Sequence, residues 1–237
     1  MDAAGYTTLT RQSGLMREIQ AIANNIANSS TSGFRREGVV FSEYVQRLDD
    51  SPSLSMARAS GRNIDLTQGD LNITGGSYDF AIQGEGFFLL ETPNGNRLSR
   101  AGSFMPAADG NLVNPDGYRL LDAGGAPIFV PPDAGPVALA TDGTLSAGGT
   151  PIARIGLWAP QDPTALRHEG GTLFVSDAGE VPVEGSSIFQ GQIEDSNVNA
   201  FSEISRMIEV QRAYQAGQSF LDKEDERARS VIQTLGR

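Results

Sequence analysis

The sequence predicts an α+β fold: long N- and C-terminal helices forming a coiled-coil core, with an all-β domain inserted between them. Three observations predict it. The last forty residues carry a heptad pattern, and the first thirty carry a matching apolar stripe. The stretch between them repeats short apolar runs separated by Asp-Gly and Asn-Gly turns.

The C-terminal pattern is the clearest. Met207, Tyr214, Leu221, Ala228 and Leu235 fall seven apart, with Ile204, Ile208, Val210, Val231 and Ile232 at three- or four-residue offsets. Such a seam is what helices present to each other in a supercoil. No Pro interrupts it, and Gln, Glu and Arg fill most other positions, so propensity agrees with pattern. Gly217 is the one weak point. Asn197 and Ser202 are candidate N-caps, and Gly236 stands where a C-cap is expected. Gln211, Gln218 and Asp225 run along one side of the seam, where polar residues select register at a cost in stability.

The N-terminal stripe answers it. Leu9, Gln12, Met16, Ile19, Ala23 and Ile26 alternate at three and four, and Leu15 and Ile22 add a second apolar row. This is wider than a two-stranded seam needs. Two readings compete: a helix pair capping one domain, or spare apolar rows that face other copies of the chain. After Ile26 the run Ala27-Asn28-Ser29-Ser30-Thr31-Ser32-Gly33-Phe34 is rich in residues that compete for backbone hydrogen bonds. The helix should stop near Asn28.

For residues 37–50 both a short strand and a helical turn fit. Residues 51–60 are small and polar and read as linker. Ile64-Asp65-Leu66 and Leu71-Asn72-Ile73 are short alternations in extended chain. Gly84-Glu85-Gly86 reads as a tight turn joining two strands, the second being Phe87-Phe88-Leu89-Leu90. Asn94-Gly95, Asp109-Gly110, Asp116-Gly117 and Asp142-Gly143 then mark successive hairpins. Pro131-Pro132 and Gly135-Pro136 interrupt them. Further strands are expected over 152–158, 172–176 and 180–183. The predicted divisions are 1–36, an N-terminal core helix and loop; 37–75, an extended linker; 76–185, an all-β outer domain; and 186–237, the C-terminal core helix.

Composition narrows the function. The net charge of −11 disfavours nucleic acid and anionic lipid as partners. With no cysteine, disulfides, thiolate metal sites and thiol catalysis are excluded. His168 is the only histidine, which leaves no Ser-His catalytic set and no histidine metal site; it is expected in a bare surface loop. Gly84-Glu85-Gly86 lacks the third glycine of a dinucleotide loop, because Leu89 takes its place. No carboxylate run follows the EF-hand spacing. No apolar run is long enough to span a membrane, so no direct membrane insertion is expected. The N-terminus has no basic region followed by an apolar core, so no cleaved signal is expected. The reading is therefore of a non-enzyme without cofactors.

Several motifs carry a family resemblance. Ala23-Asn24-Asn25, Ala27-Asn28, Thr31 and Gly33-Phe34 resemble the N-terminal signature of the bacterial flagellar rod and hook axial proteins, with Ile26 for Leu and Arg35 for Lys. Asp79 through Leu90 resembles that family's L-A-I-x-G-x-G-F-F motif. Arg100, Gly102, Ser103 and Phe104 continue it, with Ala108 to Val113 and Asp116 to Tyr118. Gly191, Glu194, Ser196-Asn197-Val198-Asn199, Met207-Ile208 and Gln211-Arg212-Ala213-Tyr214 resemble the C-terminal signature. These motifs stand in the family's order and cover most of the chain.

The resemblance implies a proximal rod protein of the basal body, with the distal rod protein as the alternative. It implies terminal helices that assemble at the inside of a tube and a β domain outside them. It further implies a place in the periplasm, export by the flagellar type III apparatus, and transmission of torque. The assembly residues so implied are Leu9, Met16, Ile19, Ile22, Ala23, Asn24, Asn25, Ile26, Asn28, Gly33 and Phe34 at one end. At the other they are Asn197, Asn199, Ile204, Met207, Ile208, Gln211, Arg212, Tyr214, Gln218, Leu221, Ile232 and Leu235. Partners would be other copies of the chain, neighbouring rod proteins and the export apparatus. The competing class is a β-rich binding module with a helical stalk.

Overall fold

In the computed structural model, which describes residues 3–48 and 51–235 (backbone alone for 3, 4, 6, 43–48, 51–60 and 235), the chain divides into two compact units. The helical unit takes the chain up to Ala27, Glu37–Asn63, and everything from Asn199 on. The β unit takes Asn28–Arg36 and Ile64–Val198.

The helical unit contains helix α1 (Ala3–Ala27), strand β1 (Glu37–Leu48), all but the last residue of strand β2 (Ser51–Ile64), and helix α2 (Ala200–Leu235). β1 and β2 form a two-stranded ribbon. The expected linker at 51–60 is thus a strand: pairing with β1 satisfies its backbone, which composition alone does not reveal. Asn199, not Asn197 or Ser202, caps α2. Its Oδ1 accepts from Ser202 N at 3.1 Å and its carbonyl from Glu203 N at 3.1 Å.

The coiled-coil core is not formed. Among the described residues there are two α-helices, one near each end, and strand is the predominant regular structure. The helices meet at one small cluster, Leu15, Ile22 and Val210, flanked by Ile19, Ile26, Met207, Ala213 and Tyr214. Beyond Tyr214 the heptad does not continue as a seam. Gln12 crosses there, its Nε2 donating to the Tyr214 carbonyl at 2.8 Å, and a Cβ on Gly217 would lie 2.4 Å from that nitrogen. Leu221 is half-buried, and Val231 and Ile232 are exposed. A further part of α1 is taken by the ribbon: a Cβ on Gly14 would lie 2.8 Å from the Phe41 ring. A polar crossing and a competing strand thus break a pattern that periodicity alone extends over the whole of α2.

The inserted β domain is present. Its strands include β3 (Leu71–Ile73), β4 (Phe80–Gln83), β5 (Phe88–Thr92) and β6 (Gly95–Ser99). β5 lies inside a seven-stranded sheet between β6 and Arg119–Leu120. Successive residues of a strand face opposite sides. Phe88 and Leu90 enter a core with Phe80, Ile82, Leu112, Leu120 and Leu145, while Phe87 and Leu89 enter a second with Ile64, Leu98, Leu166 and Phe174. Burial on both faces is why Phe87 to Leu90 is continuously apolar.

β4 and β5 are not a hairpin. β4 pairs with Ser187–Gln190, and Gly84 (φ 108°) and Gly86 (φ 103°) carry the chain from one sheet to the other. The Asp-Gly turns are built by side chains. Asp109 Oδ1 accepts from Asn111 N at 3.1 Å, and Asp142 Oδ1 from Thr144 N at 2.9 Å.

Candidate assembly surface and its supporting networks

Each unit is closed by a buried polar network that joins residues from distant parts of the chain. In the β unit the centre is Glu194, with a fully buried side chain. Its Oε1 lies 2.7 Å from Arg35 Nη1 and its Oε2 3.0 Å from Arg100 Nη1. Oε1 also accepts from Gly69 N at 2.9 Å, and the Glu194 carbonyl from Gly33 N at 2.7 Å. Arg35 donates in addition to the Thr67 carbonyl, and Arg100 to the Gly84 carbonyl at 2.6 Å. Burial pushes the Arg100 guanidinium down to about 10, with Glu194 opposing and Arg35 adding to the fall. Arg35 is lowered by burial too, against the attraction of Glu194 and Asp65. Two buried cations thus share one buried carboxylate, and Arg100 also lies over the Phe87 ring at 5.3 Å.

The loop that delivers Arg35 is fixed at close range. Gly33 has φ 74°, and a Cβ there would be 2.2 Å from Ala101 N. Phe34 is buried and stacks on His168 at 4.9 Å; the His168 ring contacts Phe174 at 4.4 Å. His168 Nε2 is 2.9 Å from the Arg35 carbonyl. His168 therefore lies in strand Leu166–Gly170 and packs against the loop; the expected bare surface loop is corrected. Asn197 Oδ1 accepts from Arg36 N at 2.6 Å, and its Nδ2 donates to the carbonyls of Asp65 and Thr67. Gly102 is required because a Cβ would lie 1.7 Å from the Phe80 carbonyl oxygen. Asn28 holds the turn, accepting from Thr31 N at 3.1 Å.

In the helical unit the centre is Asn25, fully buried. Its Oδ1 accepts from Glu37 N at 2.9 Å, and its Nδ2 donates to the Glu37 carbonyl at 2.8 Å and to Glu203 Oε2 at 3.1 Å. One carboxamide joins α1, the start of β1 and the start of α2. Glu37 is also paired to Arg62 at 3.0 Å, and Arg206 to Glu18 at 2.7 Å.

The residues expected to assemble thus separate into three groups. Asn25, Asn28, Gly33, Phe34, Asn197 and Asn199 serve internal closure or capping. Ile19, Ile22, Ile26, Met207 and Tyr214 pack α1 against α2, with Leu221 half-buried farther along. The remainder faces outward: Leu9, Met16, Ala23, Asn24, Ile204, Ile208, Gln211, Arg212, Gln218 and Ile232 are exposed. Gln218 Nε2 contacts the Tyr214 hydroxyl at 3.2 Å. Leu235 closes α2, and its side chain lies outside the described residues. Phe201, 87 % exposed, was not anticipated; it stands one turn before Ile204 on the same face. Glu194, Arg35 and Arg100 also went unassigned, although each stands inside a recognised motif. Among the described residues no group of side chains could hold a metal, and no helix is long and apolar enough to cross a membrane.

Both terminal helices thus carry exposed apolar residues, while the buried polar networks serve the closure of each unit. Comparison with known proteins identifies the family. Residues 6–35 match the family described as flagella basal body rod protein, 81–147 the flagellar hook protein FlgE/F/G D1 domain, and 190–234 the flagellar basal body rod FlgEFG protein C-terminal. The chain is 37 % identical to the flagellar basal-body rod protein FlgF of Caulobacter vibrioides, over 100 % of this chain and 99 % of that one. It is 35 % identical to FlgF of Mesorhizobium japonicum, over 98 % and 97 %. To FlgG of Agrobacterium fabrum it is 32 % identical, over 92 % and 93 %. The chain belongs to the flagellar basal-body rod protein family.

Proposed function

We propose that this chain is a structural subunit of the flagellar basal-body rod, of the FlgF type, in the proximal rod. One observation carries the reading: exposed apolar rows, Leu9 and Met16 on α1 and Phe201, Ile204 and Ile208 on α2, lie in the two segments matched by the rod family. Apolar rows of this kind on the outside of a subunit mark where neighbours pack. Contacts between unlike surfaces build an open helical assembly when the rotation from one subunit to the next does not close. The subunit would stand in the periplasmic part of the basal body, transmit torque, and reach its place through the flagellar type III export apparatus. Its partners would be its own copies and adjacent rod proteins, including the distal rod protein. The FlgG likeness supports the distal position as the second reading.

The test is incorporation. Ile204→Glu with Ile208→Glu should leave the chain folded and exported but absent from purified basal bodies, with loss of swimming. Normal basal bodies containing the double variant would overturn the reading. Crosslinking residues 37–60 to their neighbours in basal bodies separates proximal from distal placement.

A further inference from the structure

Within the helical unit, α1 and α2 flank a groove of about 350 Å³ over Gly217. Gln12 forms its floor and is 6 % exposed. Its Nε2 is engaged by the Tyr214 carbonyl, while its Oε1 is buried without a hydrogen-bond partner. Leu15, Ala213 and Phe220 supply apolar walls, and Arg11 stands at the rim. Arg11 is exposed and makes no ion pair among the described residues. The groove therefore asks for an apolar side chain, a hydrogen-bond donor and a carboxylate, presented together.

The far end of α2 presents them. Asp222 and Glu226 are exposed, one turn apart on one face, and neither is ion-paired among the described residues. Like charges at that spacing repel unless a cation lies against them. Glu224 and Asp225 differ, being paired with Arg227 and Arg229. Gln233 continues the row of Asp222 and Glu226, and Ile232, 70 % exposed, adjoins it.

Resting on the rod reading, we propose that this end of α2 from a second copy of the chain seats in the groove. Ile232 meets Leu15 and Phe220, the Gln233 amide donates to Gln12 Oε1, and Glu226 reaches Arg11. Charge complementarity selects this occupant. The unpaired carboxylates of α2 face an unpaired cation, and α1 carries no carboxylate among its described residues before Glu18. The contact joins unlike surfaces, so each copy offers one groove and one helix end, and the chain of contacts propagates.

The chain has no cysteine, so introduced pairs report cleanly. Ala216→Cys combined with Ile232→Cys, in full-length protein within basal bodies, should give a ladder of disulfide-linked copies that neither single variant gives. Arg11→Glu and Glu226→Arg should each lower incorporation at least tenfold, and their combination should restore it. Arg11→Gln, expected to lower incorporation less, covers the case in which the reversal costs helix content by circular dichroism. Basal bodies that contain the cysteine variant without a ladder, or a charge reversal without rescue, overturn the groove contact and leave the rod reading standing. A wild-type chain that never enters basal bodies overturns both.

Discussion

Asn25 donates a 3.1 Å hydrogen bond to Glu203 across 178 residues of sequence, and both side chains are buried. The same carboxamide is bonded in both directions to the Glu37 backbone. Asn25→Ala would leave the buried Glu37 N–H and carbonyl without this partner and take one hydrogen bond from Glu203. Each loss of this kind costs about 1–3 kcal/mol. Urea unfolding of the full-length chain should show about 3 kcal/mol lost, and Asn25→Asp, which places an acceptor against Glu203, should lose more.

Glu194→Gln should be among the most damaging changes in the β unit. It leaves two buried guanidinium groups without their shared anion, and breaking a buried pair costs about 3–5 kcal/mol. Arg35→Met is expected to be milder, because it leaves Arg100 and Glu194 as a matched pair. Paired denaturation curves check the order.

At Gly33 a left-handed φ and a backbone contact coincide. Were φ the whole requirement, Asn would substitute with modest loss. A Cβ 2.2 Å from Ala101 N clashes whichever residue carries it. Gly33→Asn and Gly33→Ala should therefore both release the loop, seen as fast amide exchange at Phe34 and Arg35 and reduced swimming.

Gly217→Ala offers a helix gain of about 1 kcal/mol, opposed by collision with Gln12 and loss of its bond to Tyr214. The single change should be neutral or destabilising. With Gln12→Ala the collision is gone, so the double variant should exceed Gln12→Ala alone in stability by about that gain. A double-mutant cycle measures the coupling.

Acid should weaken the β unit through Asp65. Burial pushes this carboxyl up, but the Thr67 hydroxyl and N–H and the charges of Arg36 and Arg35 outweigh it and hold it below the usual range. A depressed folded-state pKa stabilises above the unfolded value of about 4, and the contribution is lost as pH falls through the lower folded value. Asp65→Asn should flatten that part of the stability–pH curve and leave the neutral region sloping as before.

The sequence disclosed most about what repeats. The paired strand faces of Phe87 to Leu90, the Asp-Gly turns and the two helices all express a local period or a local turn chemistry. The coiled-coil core was misread because periodicity reports that a face is apolar, not what covers it. Gln12 and Phe41 take space on α1 that the heptad had assigned to α2. The ribbon at 51–60 was missed because Ser and Ala carry little strand preference, and its partner supplies the order. Arg35, Arg100 and Glu194 were visible as motif members. Nothing local says that the three meet, because the meeting is made by the fold between them.

The long spans of these contacts have a consequence in time. Gln12 waits for Tyr214, Asn25 for Glu203 and Arg36 for Asn197, separations of 202, 178 and 161 residues. Contacts so remote are slow to form, since chain closure must precede any reward. A chain arriving from one end cannot complete either unit until almost all of it is present. A chain exported as proposed would therefore pass as an open thread for nearly its whole length, and both units would close within the same last few dozen residues.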